Sequence, residues 1–230
     1  MRVVNNILSL RKILAQARGR GKKIGFIPTM GYFHEGHLRL MRRAKKECDI
    51  CVVSIFVNPT QFGPKEDLSC YPRDLKRDAL LCQKENVDIL YIPSDNDIYP
   101  KRYLTYIDVG KISQTLCGAF RPGHFKGVAT VVAKLLNIVQ PDVMYLGQKD
   151  AQQVVVIKTM VTDLNISIKI QVVPTAREAD GLAMSSRNVF LSAQDRQEAP
   201  VLYQALAAAQ GQIKAGDRVI ADSGGSYYAP

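Results

Sequence analysis

The stretch Ile24-Gly25-Phe26-Ile27-Pro28-Thr29-Met30-Gly31-Tyr32-Phe33-His34-Glu35-Gly36-His37 decides the fold of this chain. It opens on a short apolar run entered from the basic turn Arg18-Gly19-Arg20-Gly21-Lys22-Lys23, as a buried strand would be. Beyond it Leu38, Leu40, Met41 and Ala44 recur at helical spacing, with Arg39, Arg42, Arg43, Lys45 and Lys46 on the other face. The histidines therefore sit between a strand and a helix. In an open parallel sheet that junction lies at the carboxyl edge, where ligands bind, and a helix amino terminus there favours phosphate. Each imidazole can donate a hydrogen bond to a phosphoryl oxygen or, when protonated, offset its charge, and Gly36 lets the backbone come close to a ligand. Taken alone, the pair is equally compatible with a metal site or with the structural hydrogen bonds of a helix-capping loop. Its position after a strand favours phosphate.

The bulk numbers bound the rest. At 230 residues the chain holds one ordinary domain plus a smaller one, and 47% hydrophobic with 23% charged residues is the composition of a soluble globular protein. No apolar stretch approaches the roughly 20 residues needed to cross a bilayer. Met1–Asn6 has no signal-peptide pattern, so a cytoplasmic protein without a membrane partner is expected. Cys48, Cys51, Cys70, Cys82 and Cys117 are odd in number and irregularly spaced, as free thiols are, and the lone Cys48-Asp49-Ile50-Cys51 lacks a second pair for zinc. The formal charge of +10 fits nucleic acid, an acidic membrane surface or a polyanionic small substrate. Basic residues dispersed in pairs without interleaved aromatics read as solvated helix faces, so no nucleic-acid partner is expected.

Strands are expected at Ile24–Ile27, Ile50–Val57, Ile89–Ile92, Val143–Leu146 and Ile168–Val173, and helices near Ile7–Arg18, Leu38–Lys46, Leu75–Asn86, Val128–Ile138 and Val154–Asp163. The alternation gives an α/β fold: a Rossmann-like parallel sheet with helices on both faces. Beyond Asn188 the pattern changes. Ser192 caps an expected helix entrance, and Val201, Leu202, Leu206 and Ile213 mark an Ala-rich amphipathic helix in a second small domain; Asp222–Pro230 reads as an irregular tail.

Four further constellations fall at expected strand ends or turns. Ser54–Phe62 repeats the first motif's architecture and delivers Asn58 and Gln61, neutral amides that can orient a carboxylate or hydroxyl, although ordinary turn chemistry also accounts for them. In Gly147-Gln148-Lys149-Asp150, Lys149 suits phosphate oxygens and Asp150 suits either ribose hydroxyls or a helix cap. Met184-Ser185-Ser186-Arg187-Asn188 offers hydroxyls and a guanidinium for a triphosphate and a departing pyrophosphate. The cationic turn Arg121–Val128 is open between an anion and a subunit contact.

Together these residues resemble the pantothenate synthetase (pantoate–β-alanine ligase) family of the HxGH nucleotidylyltransferase superfamily. The matching segments are Pro28–His37, Ser54–Phe62, Tyr71-Pro72-Arg73, Arg121–Val128, Gly147–Asp150 with Gln152-Gln153, and Arg177–Asn188. The resemblance implies ATP-dependent condensation of (R)-pantoate with β-alanine to pantothenate through a pantoyl adenylate, with Mg²⁺ assisting, releasing AMP and pyrophosphate. It implies His34, His37, Lys149 and Arg187 as the catalytic set, with His37 as proton donor. Pro28, Thr29, Met30, Gly36, Met184, Ser185 and Ser186 would line the ATP site, with Gly147 and Asp150 near the ribose. Ala176, where the family more often has a larger aliphatic residue, would lie beside the adenine. Met30, Asn58, Gln61, Gln153, Arg121 and His124 would bind pantoate or β-alanine, and Asp78 matches a carboxylate that takes part in magnesium binding. A homodimer is implied. The family's carboxyl-terminal lid runs several dozen residues past the point near Gly216 where this chain loses the pattern, so the expected organisation is a nucleotide- and pantoate-binding domain over 1–187 and a partial lid over 188–230. Alternatives that keep the fold are another HxGH nucleotidylyltransferase or a non-catalytic nucleotide- or RNA-binding relative.

Overall fold

In the computed structural model, residues 1–216 are described, and the expected tail at Asp222–Pro230 lies outside them. The chain divides into two compact units, the first Met1–Ala176 and the second beginning at Arg177. The first is built on a six-stranded, wholly parallel sheet of β1 (Arg2–Val4), β2 (Ile24–Thr29), β3 (Ile50–Ile55), β4 (Ile89–Tyr91), β5 (Val143–Gly147) and β6 (Lys169–Val173). Their spatial order is β1-β4-β3-β2-β5-β6. Setting β1 aside, this is the doubly wound 3-2-1-4-5 order, whose switch point lies between β2 and β5.

Period-2 alternation sorts each strand's side chains between two cores. Phe26, Val52, Tyr91 and Met144 face one side, under α1 (Ile7–Arg18), α4 (Asp95–Ile98), α6 (His124–Val139) and α7 (Ala151–Asp163). Ile27, Val53, Leu90 and Tyr145 face the other, under α2 (Glu35–Glu47) and α3 (Leu75–Lys84). The short helix α5 (Cys117–Phe120) precedes α6.

The five expected strands form within a residue or two of their expected ends, and α1 spans the expected residues. The three-residue β1, paired with β4, was not expected, because so short and exposed an edge has no periodicity to read. Three helices begin about a turn earlier than their apolar spacing predicts, α7 among them at Ala151 instead of Val154. Helix α2 starts at Glu35 because His34 supplies the cap. Helix α6 starts at His124 because Gly123, at φ 82°, turns the chain directly into it.

In the second unit Arg177 bridges Ala183 across a turn, and its guanidinium lies over the Tyr203 ring, 4.5 Å from the centroid. Gly181 (φ 95°) fits because a Cβ there would meet that ring at 2.0 Å. Ser192 and Asp195 form the capping box of α8 (Ala193–Glu198), and the Ala-rich helix forms as α9 (Val201–Ala215). Its apolar residues Val201, Leu202, Leu206 and Ile213 are exposed.

Candidate active site

The loop after β2 carries the histidines and the turn after β5 carries Lys149, so the topology sets them on the two lips of the switch-point crevice. His34 is the N-cap of α2 and His37 its third residue. His34 Nδ1 accepts from the Gly36 N–H (3.1 Å), and His37 Nδ1 accepts from the His34 N–H (3.3 Å). This reciprocal box takes the part that Ser and Glu usually play at a helix start. A nitrogen that accepts carries no proton, so both rings are neutral with the proton on Nε2. Burial, then the nearby Lys149 ammonium, lowers the His34 pKa to about 4. Burial, His34 and Lys149 lower that of His37 to about 3. The histidines are thus both helix cap and paired N–H donors, and their charge is not available at neutral pH. Gly36 has a more local reason than ligand approach: a Cβ there would lie 2.8 Å from His34 Cε1.

The loop leading to them is tied down by Asp78 of α3. Its carboxylate, 1% exposed, accepts from the Tyr32 N–H (2.6 Å) and the Phe33 N–H (2.8 Å), and burial pushes its pKa up. These bonds hold Gly31 and Tyr32 at φ 84° and 53°, where an unsupported tyrosine would be strained. Thr29 Oγ1 donates to the Ser54 carbonyl (2.6 Å) and accepts from the Gly31 N–H, while Pro28 sits in register with Ser54. Asp78 therefore supports the loop through one bond to each of its oxygens. Among the described residues no three His, Cys, Asp or Glu side chains cluster as a metal site.

Asn58, Thr60 and Gln61 lie in a 3₁₀ turn against α6. Gly127 permits the approach, since a Cβ there would fall 2.4 Å from the Thr60 carbonyl oxygen. Asn58 is buried and wholly engaged: its Oδ1 accepts from Tyr99 (2.7 Å) and Thr60 (3.0 Å), and its Nδ2 donates to Gln61 Oε1 and the Gly127 carbonyl, each 3.1 Å. Gln61 Nε2 is then left facing Met30 Sδ at 3.2 Å. His124 Nδ1–H donates to the Gln61 carbonyl (2.8 Å), and its Nε2 receives Arg121 at 3.3 Å. Arg121 forms a two-pronged ion pair with Glu66, its Nε 2.7 Å from Oε1. Asn58, Arg121 and His124 thus shape the Gln61 turn from behind. Sequence reasoning passed over Tyr99 and Glu66, which act across 41 and 55 residues and have no local signature.

Gly147 ends β5 and opens the 3₁₀ turn on which Lys149 Nζ meets Asp150 Oδ1 (2.9 Å). Gln152, in the first turn of α7, pins the preceding loop through the Cys117 N–H and the Ile112 and Thr115 carbonyls, with Gln153 partly exposed beside it. Ala176 closes the first unit and is buried. In the second unit Ser185 caps the turn Ser186–Phe190 by accepting from the Arg187 N–H (3.2 Å), and Asn188 donates to the Ala183 carbonyl after Met184 has entered it.

A doubly wound parallel sheet with neutral paired histidines and a lysine on the lips of its switch point defines an α/β nucleotide-binding protein of the HxGH type. Residues 2–224 match the family model described as pantoate-beta-alanine ligase. The chain is 56% identical to the pantothenate synthetase of Pelotomaculum thermopropionicum over 95% of this chain and 77% of that one, and 56% identical to that of Heliobacterium modesticaldum over 96% and 79%. It superposes on the crystal structure of pantothenate synthetase from Thermus thermophilus with a TM-score of 0.90 at 48% identity, covering 94% of this chain and 77% of that one. The ligase of Francisella tularensis, complexed with beta-gamma ATP and beta-alanine, gives 0.85 at 45%, covering 90% and 79%. The chain belongs to the pantoate–β-alanine ligase family.

Proposed function

We propose that this ligase joins (R)-pantoate to β-alanine in two steps at the switch-point crevice, using ATP. A pantoate carboxylate oxygen attacks the α-phosphorus; the new P–O bond forms as the bond to the β-phosphate bridging oxygen breaks and pyrophosphate leaves. The neutral β-alanine amine then attacks the pantoyl carbonyl carbon, the C–O bond to phosphate breaks, AMP departs, and the new amide nitrogen gives up one proton to solvent. Neither step needs a covalent group from the protein, so positioning and stabilisation of charge carry the catalysis.

The observation that carries this reading is the neutral Nε2–H pair beside Lys149. His34 and His37 donate to phosphate oxygens, and Lys149 supplies the positive charge. His37 serves as proton donor through a hydrogen bond; full transfer from its neutral ring is not required. Pro28, Thr29, Gly36, Gly147 and Asp150 line the nucleotide path, with Ala176 at the adenine, and by the family resemblance Met184, Ser185, Ser186 and Arg187 are further ATP-binding residues. Met30, Gln61 and Gln153 line the pantoate pocket. When bound, Mg²⁺ would offset charge on the triphosphate, as suits a cation that usually keeps its waters and binds substrate phosphates. Asp78, held by two backbone N–H groups, supports the loop beside it.

Domain assignment is part of the proposal: residues 1–187 handle nucleotide and pantoate, and the residues from 188 on are a partial lid. The exposed Leu104, Tyr106, Leu116 and Phe120 favour a homodimer, which sedimentation would test. No helix among the described residues is long and apolar enough to cross a membrane, in keeping with a cytoplasmic enzyme. The direct assay supplies ATP, Mg²⁺, pantoate and β-alanine and follows AMP and pantothenate. A His37→Ala variant should lose about a hundredfold in kcat, the usual effect of removing one transition-state donor. Undiminished turnover in that variant would remove the basis of the reading.

A further inference from the structure

A carboxamide accepts at one end and donates at the other, so a buried amide is oriented by neighbours that cannot exchange those roles. Asn58 has two such constraints. The Gly127 carbonyl only accepts, which fixes Nδ2 towards it, and the Tyr99 hydroxyl gives its proton to Oδ1 at 2.7 Å. Thr60 Oγ1, 3.0 Å from both Oδ1 and the Tyr99 oxygen, closes that end. The remaining Asn58 amino hydrogen meets Gln61 Oε1, so Gln61 has to turn its Nε2 towards Met30.

We infer that Tyr99 is a positioning residue for the acid substrate: through Asn58 it sets the Gln61 amide to present an N–H donor to a carboxylate or hydroxyl oxygen. The inference rests on Gln61 lining the pantoate pocket. Tyr99 is suited to the task because burial pushes its phenol up to about 12, which keeps it protonated and a donor. Its ring is fixed by Phe56 and Tyr103, with centroids 6.2 and 5.1 Å away. The turn's backbone does not depend on it, being held by His124 on the Gln61 carbonyl and by the Thr60–Gly127 approach. Loss of the hydroxyl should therefore loosen the Oδ1 end of the Asn58 amide, which Thr60 still reaches, and leave the fold in place.

The test is calorimetric titration of pantoate and of ATP into the full chain, for Tyr99→Phe, for Tyr99→Phe with Thr60→Val, and for Gln61→Glu. The double variant should weaken pantoate about tenfold, the order of one net hydrogen bond, with ATP affinity within about twofold. Tyr99→Phe alone should lie between it and the parent, since Thr60 still reaches Oδ1. Unchanged pantoate affinity in the double variant, with Gln61→Glu impaired, overturns the relay alone. Parallel loss of pantoate and ATP binding with a lowered Tm in the double variant also overturns it, by showing a structural role. Unchanged pantoate affinity in Gln61→Glu overturns the placing of pantoate at Gln61, and the relay with it.

Discussion

Gly36→Ala separates folding from catalysis in a way that the helix start makes calculable. The new methyl would stand 2.8 Å from His34 Cε1 and 2.9 Å from Nδ1, so the ring must swing away by several tenths of an ångström or more. Swinging breaks the Nδ1 bond to the residue-36 N–H, and loss of such a cap costs about 1 kcal/mol. Alanine in place of glycine in a helix returns up to about 1 kcal/mol, and the backbone at this position has no left-handed angle to forbid it. The two effects nearly cancel, so Tm should stay within about 4 °C of the parent. Catalysis has no such offset: His34 Nε2–H is displaced from the crevice, and kcat should fall about a hundredfold. Gly147→Ala is the control, since its Cβ meets nothing in the protein within 4 Å. It should leave Tm unchanged and weaken ATP alone. Scanning calorimetry with steady-state kinetics decides the matter; a Gly36→Ala enzyme retaining a third or more of parental kcat would refute the assignment of this glycine to the His34 ring.

Two further outcomes are expected. Asp78→Asn turns an amino group towards one of the two N–H donors, so stability should drop by about 1–3 kcal/mol in denaturant titration, whereas the Mg²⁺ concentration giving half-maximal rate should not move. For pH, the histidine values lie below the unfolded 6.5, so the unfolded chain binds the extra protons. Their contribution to stability is complete above about pH 6.5 and is lost as pH falls through about 4 and then 3. A His34→Asn, His37→Asn double variant should show a flatter stability profile between pH 6.5 and 4, and an unaltered slope would count against the neutral pair.

Much of this was legible in local pattern. The run Ile24–Ile27 and the amphipathic spacing after Leu38 located the switch-point strand and its helix, and the amphipathic stretch Ile7–Arg18 gave α1 its limits, because burial of one face leaves a period in the sequence. The first turn of α2 was not legible, since histidine is not an ordinary cap and only its geometry shows the reciprocal box. Roles at the Gln61 turn were hidden for a different reason. Asn58, Arg121 and His124 look like ligand contacts until Tyr99, Glu66 and Gly127 are brought beside them by the fold. Polar residues in a motif announce that hydrogen bonds will be made, but not whether a substrate or the protein receives them.

The histidine box also ties the start of α2 to the tautomer of both rings. Because the bonds that finish α2 are the bonds that assign each ring its tautomer, winding of that first turn and arming of the phosphate donors are a single cooperative event. A frayed turn releases both rings to exchange tautomers and take up protons. Slow amide exchange at His34 and Gly36 would therefore serve as a direct gauge of the fraction of molecules poised to receive ATP.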